Sequence, residues 1–221
     1  MKVFDPVAYK NMVRDFQERD EPLGWFDSIY SDAEGDFSAV FWADLEASPY
    51  LTQWLKENPL KAEKKSAIAI GCGVGDDAEE MANYGFDVTA FDIAPTAIEL
   101  CKNRYTQSKV KYLVADLFDY PKTWQGRFDL VYECNTIQVL PGKYRKQAMQ
   151  AMVSLLAKGG TLLVSCRSRK SGEQEEDIPL PLDKIEIDTF KSMGLKEEHF
   201  LAYDDSQEPP VPHFFVAYTK E

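Results

Sequence analysis

Residues 66–92 read SAIAIGCGVGDDAEEMANYGFDVTAFD, and this stretch decides the fold of the chain. Its first residues form an apolar run typical of a buried strand, and this run enters a turn that contains Gly71, Gly73 and Gly75. The next residues have the pattern of a short helix, and a second apolar strand then ends on Asp92. A strand, a glycine turn, a helix and a strand with an acid at its tip therefore follow one another.

This order of elements predicts a binding site for a nucleoside. Glycine has no Cβ, so a glycine turn lets the backbone approach a ligand closely. The N-terminus of the helix behind the turn offers N–H groups that have no partner within the helix. An acid at the tip of the next strand, here Asp92, is placed to accept hydrogen bonds from both hydroxyls of a ribose.

The chain after Asp92 continues the alternation of strands and helices. The predicted elements are a helix opened by Pro95, a strand at Val110–Val114 followed by Ala115 and Asp116, a strand at Phe128–Glu133, a helix at 144–156 closed by Gly159 and Gly160, and a strand at Thr161–Ser165. Such an alternation predicts a parallel sheet with helices on both faces.

The C-terminal region has a different pattern. A helix near Leu182–Met193 is followed by a strand at Lys196–Tyr203, an acidic, proline-rich turn at Asp204–Pro210 and a strand at His213–Tyr218. Two consecutive strands joined by a turn predict an antiparallel hairpin. The predicted fold class is therefore α/β, a Rossmann-like seven-stranded mostly parallel sheet with helices on both faces and a C-terminal antiparallel hairpin.

Residues 1–60 lack this alternation and are helix-like and rich in aromatic residues. We expect them to form an N-terminal helical cap, or lid, over a main domain at residues 61–221. The cluster of Trp25, Phe26 and Tyr30 has two interpretations. It is part of a core, or it closes over the ligand, excludes water and stacks on a cation.

The charge of the chain limits its partners. The formal net charge of −12 disfavours a nucleic-acid partner, because phosphate backbones are bound by clustered Lys and Arg. The short basic runs at Lys61–Lys65 and Arg167–Lys170 are interpreted as solvated surface. For Arg167 itself, a role in holding an anionic ligand is the alternative.

Several patterns that indicate other environments are missing from the sequence. No apolar run approaches the roughly 20 residues that span a bilayer, and residues 1–10 lack the apolar core of a signal peptide. The cysteines show no paired spacing, which predicts reduced thiols and no metal site; they are Cys72, Cys101, Cys134 and Cys166. We therefore expect a cytoplasmic protein with no membrane partner.

A nicotinamide-dependent oxidoreductase is the main competing interpretation of the glycine turn. Its G-x-G-x-x-G fingerprint requires glycine at position 76, where this chain has Asp76. The carboxylate of Asp76 is also expected to crowd a pyrophosphate with its own negative charge. The glycine turn therefore favours a nucleoside ligand without a pyrophosphate.

The strand, the GxGxG turn, the strand that ends on Asp92 and the terminal hairpin together resemble the class I S-adenosylmethionine-dependent methyltransferases. The resemblance covers roughly residues 66–220 and makes residues 61–221 a methyltransferase domain. It implies an enzyme whose cofactor is S-adenosylmethionine and whose product is S-adenosylhomocysteine. The inferred reaction is an in-line displacement of the sulfonium methyl by an acceptor atom.

The resemblance also implies roles for individual residues. The methionine part of the cofactor lies over the glycine turn, Asp92 binds the ribose, and Asp116 meets the adenine amino group between Ile93 and Leu117. Glu133 faces the methionine end and the acceptor, and it is the candidate catalytic residue. The implied cofactor-binding residues are Gly71, Cys72, Gly73, Gly75, Asp92, Ile93, Asp116, Leu117, Glu133, Trp25 and Tyr30.

Within this superfamily, Trp25, Phe26, Tyr30 and Trp42 resemble the cap of the thiopurine and thiol methyltransferase branch. The implied partner is a small-molecule methyl acceptor, with a thiol or another soft nucleophile favoured, because no histidine–acid pair is evident in the predicted acceptor loop. The histidines, His199 and His213, are interpreted as surface or packing residues. A protein or macromolecule methyltransferase and a catalytically silent cofactor-binding protein remain the alternatives.

Overall fold

A computed structural model describes residues 5–19, 21, 23–59, 65–140, 142–173 and 178–221. Seven strands form one sheet in the order β3-β2-β1-β4-β5-β7-β6. The strands are β1 Ser66–Ile70, β2 Asp87–Asp92, β3 Lys111–Val114, β4 Phe128–Cys134, β5 Leu156–Arg167, β6 Leu195–Asp204 and β7 Pro212–Lys220. The pairings from β3 through β5 are parallel, and β7 is antiparallel to both β5 and β6. The predicted sheet and its terminal hairpin are therefore confirmed.

The strand register brings the predicted site residues to one edge of the sheet. Ile70, the last residue of β1, pairs with Phe91 on one side and with Glu133 on the other. Because these strands are parallel, their carboxyl ends lie at the same edge, where open α/β sheets bind their ligands. The glycine turn, Asp92 and Glu133 consequently meet there.

Helices cover both faces of the sheet, as predicted. The helices are α1 Pro6–Glu18, α2 Trp25–Asp32, α3 Pro49–Glu57, α4 Asp76–Asn83, α5 Pro95–Arg104, α6 Gly142–Leu155, α7 Lys184–Ile187 and α8 Thr189–Ser192. Leu51 of α3 and Met81 of α4 share one apolar cluster with one face of the sheet. Met152 of α6 and Phe190 of α8 share another cluster with the opposite face. Each face is thus buried, which explains why the inner strands are apolar throughout.

Two predicted boundaries differ from the observed ones. Helix α6 ends at Leu155, and Gly159 and Gly160 lie within β5 rather than closing the helix. A Cβ on Gly160 would lie 2.9 Å from the carbonyl oxygens of Ala157 and Phe128, so this glycine permits a close approach of two backbones. The predicted helix at 182–193 is in fact the two short helices α7 and α8.

The N-terminal part of the chain packs on the side of the sheet that carries α5. Tyr30 and Val40 form an apolar cluster with Val74 of the glycine turn and Ala97 of α5. The predicted division between a cap at 1–60 and a domain at 61–221 stays a prediction. Its boundary and most of the Lys61–Lys65 run lie outside the described residues, as do residues 1–4.

Candidate functional site

The glycine turn needs its glycines for both conformation and space. Gly71 and Gly75 have φ angles of +59° and +95°, which residues with a Cβ rarely adopt. A Cβ on Gly71 would lie 2.4 Å from the hydroxyl oxygen of Thr136, and one on Gly75 would lie 2.7 Å from that of Tyr112. The turn therefore brings its backbone against neighbouring side chains while its outer surface faces the carboxyl edge of the sheet.

Asp92 connects this turn to the end of β2. Its Oδ2 accepts a hydrogen bond from the Gly73 N–H at 3.0 Å, and its Oδ1 accepts one from the Ala94 N–H at 3.0 Å. A carboxylate offers about four lone-pair sites, so both oxygens retain capacity for ribose hydroxyls. Burial raises the pKa of Asp92 from 3.8 to about 6, although these backbone N–H groups oppose the shift. The side chain is thus held in position near the turn.

The raised pKa of Asp92 predicts that nucleoside affinity depends on pH. Hydroxyl donors favour the ionised carboxylate, so a bound ribose competes with a proton below pH 6. We expect protonation of Asp92 to account for about a tenfold fall in affinity for S-adenosylhomocysteine between pH 7 and pH 5, because its proton must be released on binding. Calorimetric titration of the wild type and of Asp92→Asn across this range measures the effect, and equal slopes in the two proteins would contradict it.

A cavity of about 450 Å³ opens beside Asp92 at the carboxyl edge of β2 and β3. Its walls come from four separate segments, which are the N-terminal part, the loop after β2, the loop after β3 and helix α6. In that order, the lining residues are Glu21, Leu23, Gly24 and Asp27; Ile93, Ala94 and Pro95; Asp116 and Phe118; and Tyr144. This mixture of apolar and acidic walls is suitable for a flat, polar-edged ring.

Two of the residues predicted to surround an adenine line this cavity, and one does not. Ile93 and Asp116 are in its wall, whereas Leu117 is 7% exposed and belongs to the apolar core between the sheet and α6. Phe118 occupies the wall position expected of Leu117. Asp116 does not cap a helix, because no helix follows it directly. Its Oδ1 instead accepts a hydrogen bond from the Phe118 N–H at 2.8 Å and stabilises a turn.

The N-terminal aromatic residues occupy two layers. Tyr30 is in the inner layer, since a Cβ on Gly73 would lie 3.3 Å from its hydroxyl oxygen. Trp42 donates an indole hydrogen bond to that oxygen at 3.2 Å. Trp25 is 1% exposed and stacks on Phe26 with ring centroids 3.8 Å apart, in the outer layer. Tyr30 thus contacts the glycine turn directly, while Trp25 supports the aromatic packing behind it.

Glu133 is the most unusual ionisable group at this edge. It is fully buried, and its Oε2 accepts hydrogen bonds from the backbone N–H groups of Thr136 and Ile137, each at 3.1 Å. Its Oε1 is buried and has no hydrogen-bond partner within the part of the chain that the structure describes. Burial raises the pKa of Glu133 from 4.5 to about 8, so the carboxyl is mainly neutral at pH 7. One oxygen next to the glycine turn therefore remains unsatisfied.

Asp76 is held away from a ligand by an arginine. The Arg104 guanidinium donates to both oxygens of Asp76, at 2.6 and 2.8 Å, and the Tyr105 hydroxyl donates to Oδ1 at 3.0 Å. Its charge is therefore neutralised, and the expectation that it repels a pyrophosphate is wrong. The other argument against a dinucleotide fingerprint remains, because position 76 is Asp and not the glycine that the fingerprint requires.

Cys72 contributes backbone rather than a reactive thiol to the turn. Its N–H donates to the carbonyl oxygen of Phe91 at 3.0 Å. Contact with Cys101 and burial raise the pKa of the Cys72 thiol well above its usual value. All four cysteines are free thiols. Within the described ranges, no cluster of His, Cys, Asp and Glu has a geometry that could hold a metal ion.

The sequence analysis did not identify Asp27 and Thr136 as site residues. Asp27 of α2 lines the cavity, and its Oδ1 accepts a hydrogen bond from the Thr96 N–H at 2.8 Å in the first turn of α5. Thr136 lies over Gly71 and donates to the Ile70 carbonyl oxygen at 3.3 Å. Of these two residues, only Asp27 has a partial signal in the sequence. The first turn of α5 lacks an acid of its own, so an acid from another part of the chain is favoured at that helix N-terminus.

The two histidines lie at different depths on the terminal hairpin. His199 is exposed and meets Phe215 edge to face, with ring centroids 6.4 Å apart. His213 is 7% exposed and stacks on Tyr203 at 5.3 Å, while its Nδ1 lies 2.9 Å from the Val211 carbonyl oxygen. These contacts agree with surface and packing roles.

Among the described residues, no helix is sufficiently long and apolar to traverse a bilayer.

Comparison with known proteins shows that this fold is similar to methyltransferases. A family model described as "Methyltransferase domain" matches residues 67–160, which contain the glycine turn, Asp92 and Glu133. The structure is similar to a Burkholderia thailandensis 1,6-didemethyltoxoflavin-N1-methyltransferase solved with 1,6-didemethyltoxoflavin and S-adenosylhomocysteine, with a TM-score of 0.70 and 15% identity. That match covers 100% of this chain and 92% of the other.

The fold is similar to that of solved methyltransferases, and the predicted fold is thereby confirmed. The match to a methyltransferase domain extends over residues 67–160. The thiopurine and thiol branch stays a prediction.

Two curated relatives are methyltransferases of small molecules by name. The ubiquinone biosynthesis O-methyltransferase of Xanthomonas campestris pv. campestris (strain B100) is 33% identical over 104 residues, covering 46% of this chain and 43% of the relative. The 2-heptyl-1-hydroxyquinolin-4(1H)-one methyltransferase of Mycobacteroides abscessus is 24% identical over 149 residues, covering 66% and 64%. The chain thus spans less than two thirds of the length of these relatives.

Proposed function

We propose that this protein transfers a methyl group from S-adenosylmethionine to a small-molecule acceptor. The observation that carries the proposal is the cavity of about 450 Å³ that has Ile93 and Asp116 in its wall. It lies at the carboxyl edge of the sheet, next to the buried carboxylate of Asp92. A nucleoside placed with its base in this cavity has its ribose at Asp92.

The unpaired oxygen of Glu133 supports the methionine end of the same placement. A buried acceptor without a donor costs free energy, and an ammonium group of a ligand offsets that cost. Glu133 lies opposite Ile70 in the sheet, immediately before the glycine turn. The residues present therefore fit S-adenosylmethionine, with Glu133 receiving the ammonium, Asp92 the ribose hydroxyls, and Ile93 and Asp116 the adenine.

The cofactor, when bound, supplies an activated methyl group on a sulfonium and leaves as S-adenosylhomocysteine. The chain itself positions the reactants and excludes water. Tyr30 lies against the glycine turn from the N-terminal side and accepts a hydrogen bond from Trp42. Aromatic rings in this position are suited to stack on a cationic ligand. Closure by these residues is the proposed function of the N-terminal cap.

The acceptor is proposed to be a small molecule, because the aromatic N-terminal part restricts the edge of the sheet at which the acceptor enters. The curated relatives named above, a ubiquinone biosynthesis O-methyltransferase and a 2-heptyl-1-hydroxyquinolin-4(1H)-one methyltransferase, support a small-molecule acceptor. A thiol acceptor, which the sequence favoured, stays part of the proposal, since the described residues show no histidine–acid pair in the loop after β4 that would activate a hydroxyl.

The test is S-adenosylhomocysteine production by the purified chain with a panel of small thiols, phenols and amines. Turnover of one acceptor class is the expected result, and Asp92→Asn provides a control that removes charge from the site. Binding of S-adenosylhomocysteine without turnover of any acceptor would favour the silent cofactor-binding alternative. Absence of binding in calorimetry would refute the proposed function.

A further inference from the structure

Unlike the other shielded arginines of the structure, Arg167 has no carboxylate partner among the described residues. Arg104 pairs with Asp76, Arg145 pairs with Glu186, and Arg169 pairs with both Asp183 and Glu186. Arg167 is half-buried, yet no carboxylate among the described residues lies within 4 Å of its guanidinium. The chain carries 37 acidic residues against 25 basic ones, so a cation without an acidic neighbour is unexpected here.

Arg167 lies at the same edge of the sheet as the candidate site. It is the last residue of β5, two positions after Ser165, which pairs with Cys134 at the end of β4. With a strand spacing of about 4.8 Å and a rise of about 3.3 Å per residue, the end of β4 and Arg167 are on the order of 8 Å apart. That separation corresponds to the length of a small aromatic or aliphatic acid.

The backbone of Arg167 is fixed from two sides. Its N–H donates to the side-chain oxygen of Gln138 in the loop after β4, and its carbonyl oxygen accepts from the Leu182 N–H at 3.0 Å. A rigid backbone limits the positions that the guanidinium reaches. A preorganised cation of this kind loses less entropy when it binds an anion than a lysine on a mobile loop does.

The side chain of Arg167 lies on the face of the sheet that the N-terminal helices cover. Alternation along β5 places Arg167 on the same face as Leu163, which packs with Leu51 of α3. His213 is directly opposite Arg167 in the β5–β7 register. Burial raises the pKa of Tyr9 in α1, and the charge of Arg167 opposes that rise.

We propose that Arg167 binds an anionic group of the methyl acceptor, so that the substrates of this protein are small acceptors that carry a carboxylate or a comparable anion. This proposal rests on the proposed function and adds the substrate class to it. Arg167 is assigned as a specificity-determining residue at the far end of the acceptor from the reacting atom. A guanidinium recognises a carboxylate with two parallel hydrogen bonds, which a neutral amide cannot reproduce.

The experiment compares matched acids and amides on the protein loaded with S-adenosylhomocysteine. The probes are 2-mercaptobenzoate with 2-mercaptobenzamide and 4-hydroxybenzoate with 4-hydroxybenzamide, each titrated by calorimetry. We expect at least one acid to bind about tenfold or more tightly than its amide. Arg167→Gln is expected to reduce this preference to less than about twofold and to leave the affinity for S-adenosylhomocysteine unchanged.

Arg127→Gln is the matched control, because Arg127 is an exposed arginine at the opposite edge of the sheet, just before β4. It should retain the full preference for the acid. Equal affinity of acid and amide in the wild type, no binding of either, or a preference that survives Arg167→Gln would each overturn the proposal. An Arg167-dependent preference in a protein that does not bind S-adenosylhomocysteine would overturn the assignment to a methyl acceptor and refute the proposed function separately.

Discussion

Asp92→Ala is expected to weaken S-adenosylhomocysteine binding by at least about 100-fold. The substitution removes the acceptor for both ribose hydroxyls, and hydrogen bonds to a charged group contribute about 1.5–3 kcal/mol each. It also removes the acceptor of the Gly73 and Ala94 N–H groups, so the glycine turn loses its connection to β2. Calorimetry gives the affinity, and circular dichroism with thermal unfolding establishes that the variant is folded.

Asp87→Ala is the control for this prediction. Asp87 lies at the other end of the same strand, about half exposed, where it pairs with Lys111 at 2.7 Å. Exposed ion pairs contribute little to stability, so this variant should bind as the wild type does. If Asp92→Ala folds and keeps an affinity within about threefold of the wild type, Asp92 is not a ligand of the ribose.

Glu133→Gln is expected to make the protein more stable at neutral pH and to weaken its affinity for S-adenosylmethionine. A raised pKa in the folded state means that the unfolded chain releases this proton at a lower pH, so wild-type stability falls as pH rises from about 4.5 to about 8. Each pH unit corresponds to about 1.4 kcal/mol, which gives a stabilisation of Glu133→Gln of about 3 kcal/mol at pH 7. Denaturant unfolding at pH 5, 7 and 8 measures this difference, which should shrink at pH 5.

The same variant tests the proposed role of Glu133 in binding. Glutamine keeps one oxygen for the N–H groups of Thr136 and Ile137 but places an NH2 donor where Oε1 was. We expect affinity for S-adenosylmethionine to fall about tenfold or more, because its ammonium loses a carboxyl group that can ionise when the ligand binds. Glu99→Gln, on the exposed face of α5, is the control for both measurements. Unchanged stability together with unchanged affinity would show that Glu133 is neither strained nor a ligand.

Part of the site was predictable because its signals are local. A run of apolar residues, glycines at alternate positions and an acid at the end of the next strand are neighbours in sequence, so Gly71 and Asp92 were placed correctly relative to the sheet. Leu117 was misassigned because the direction of a side chain in a loop depends on what packs against it. In this structure the core takes Leu117, and Phe118 faces the cavity.

The sequence by itself determined the α/β sheet, the terminal hairpin and the edge at which the candidate site lies, because the period of strands and helices and the freedom of glycine act within a few residues. Only the tertiary structure decided which groups are left without partners. Oε1 of Glu133 is unpaired, and Arg167 has no described carboxylate near it, because residues far away in sequence form the surroundings of both groups. The polar groups that remain without partners after packing are the ones with which a substrate or cofactor can interact.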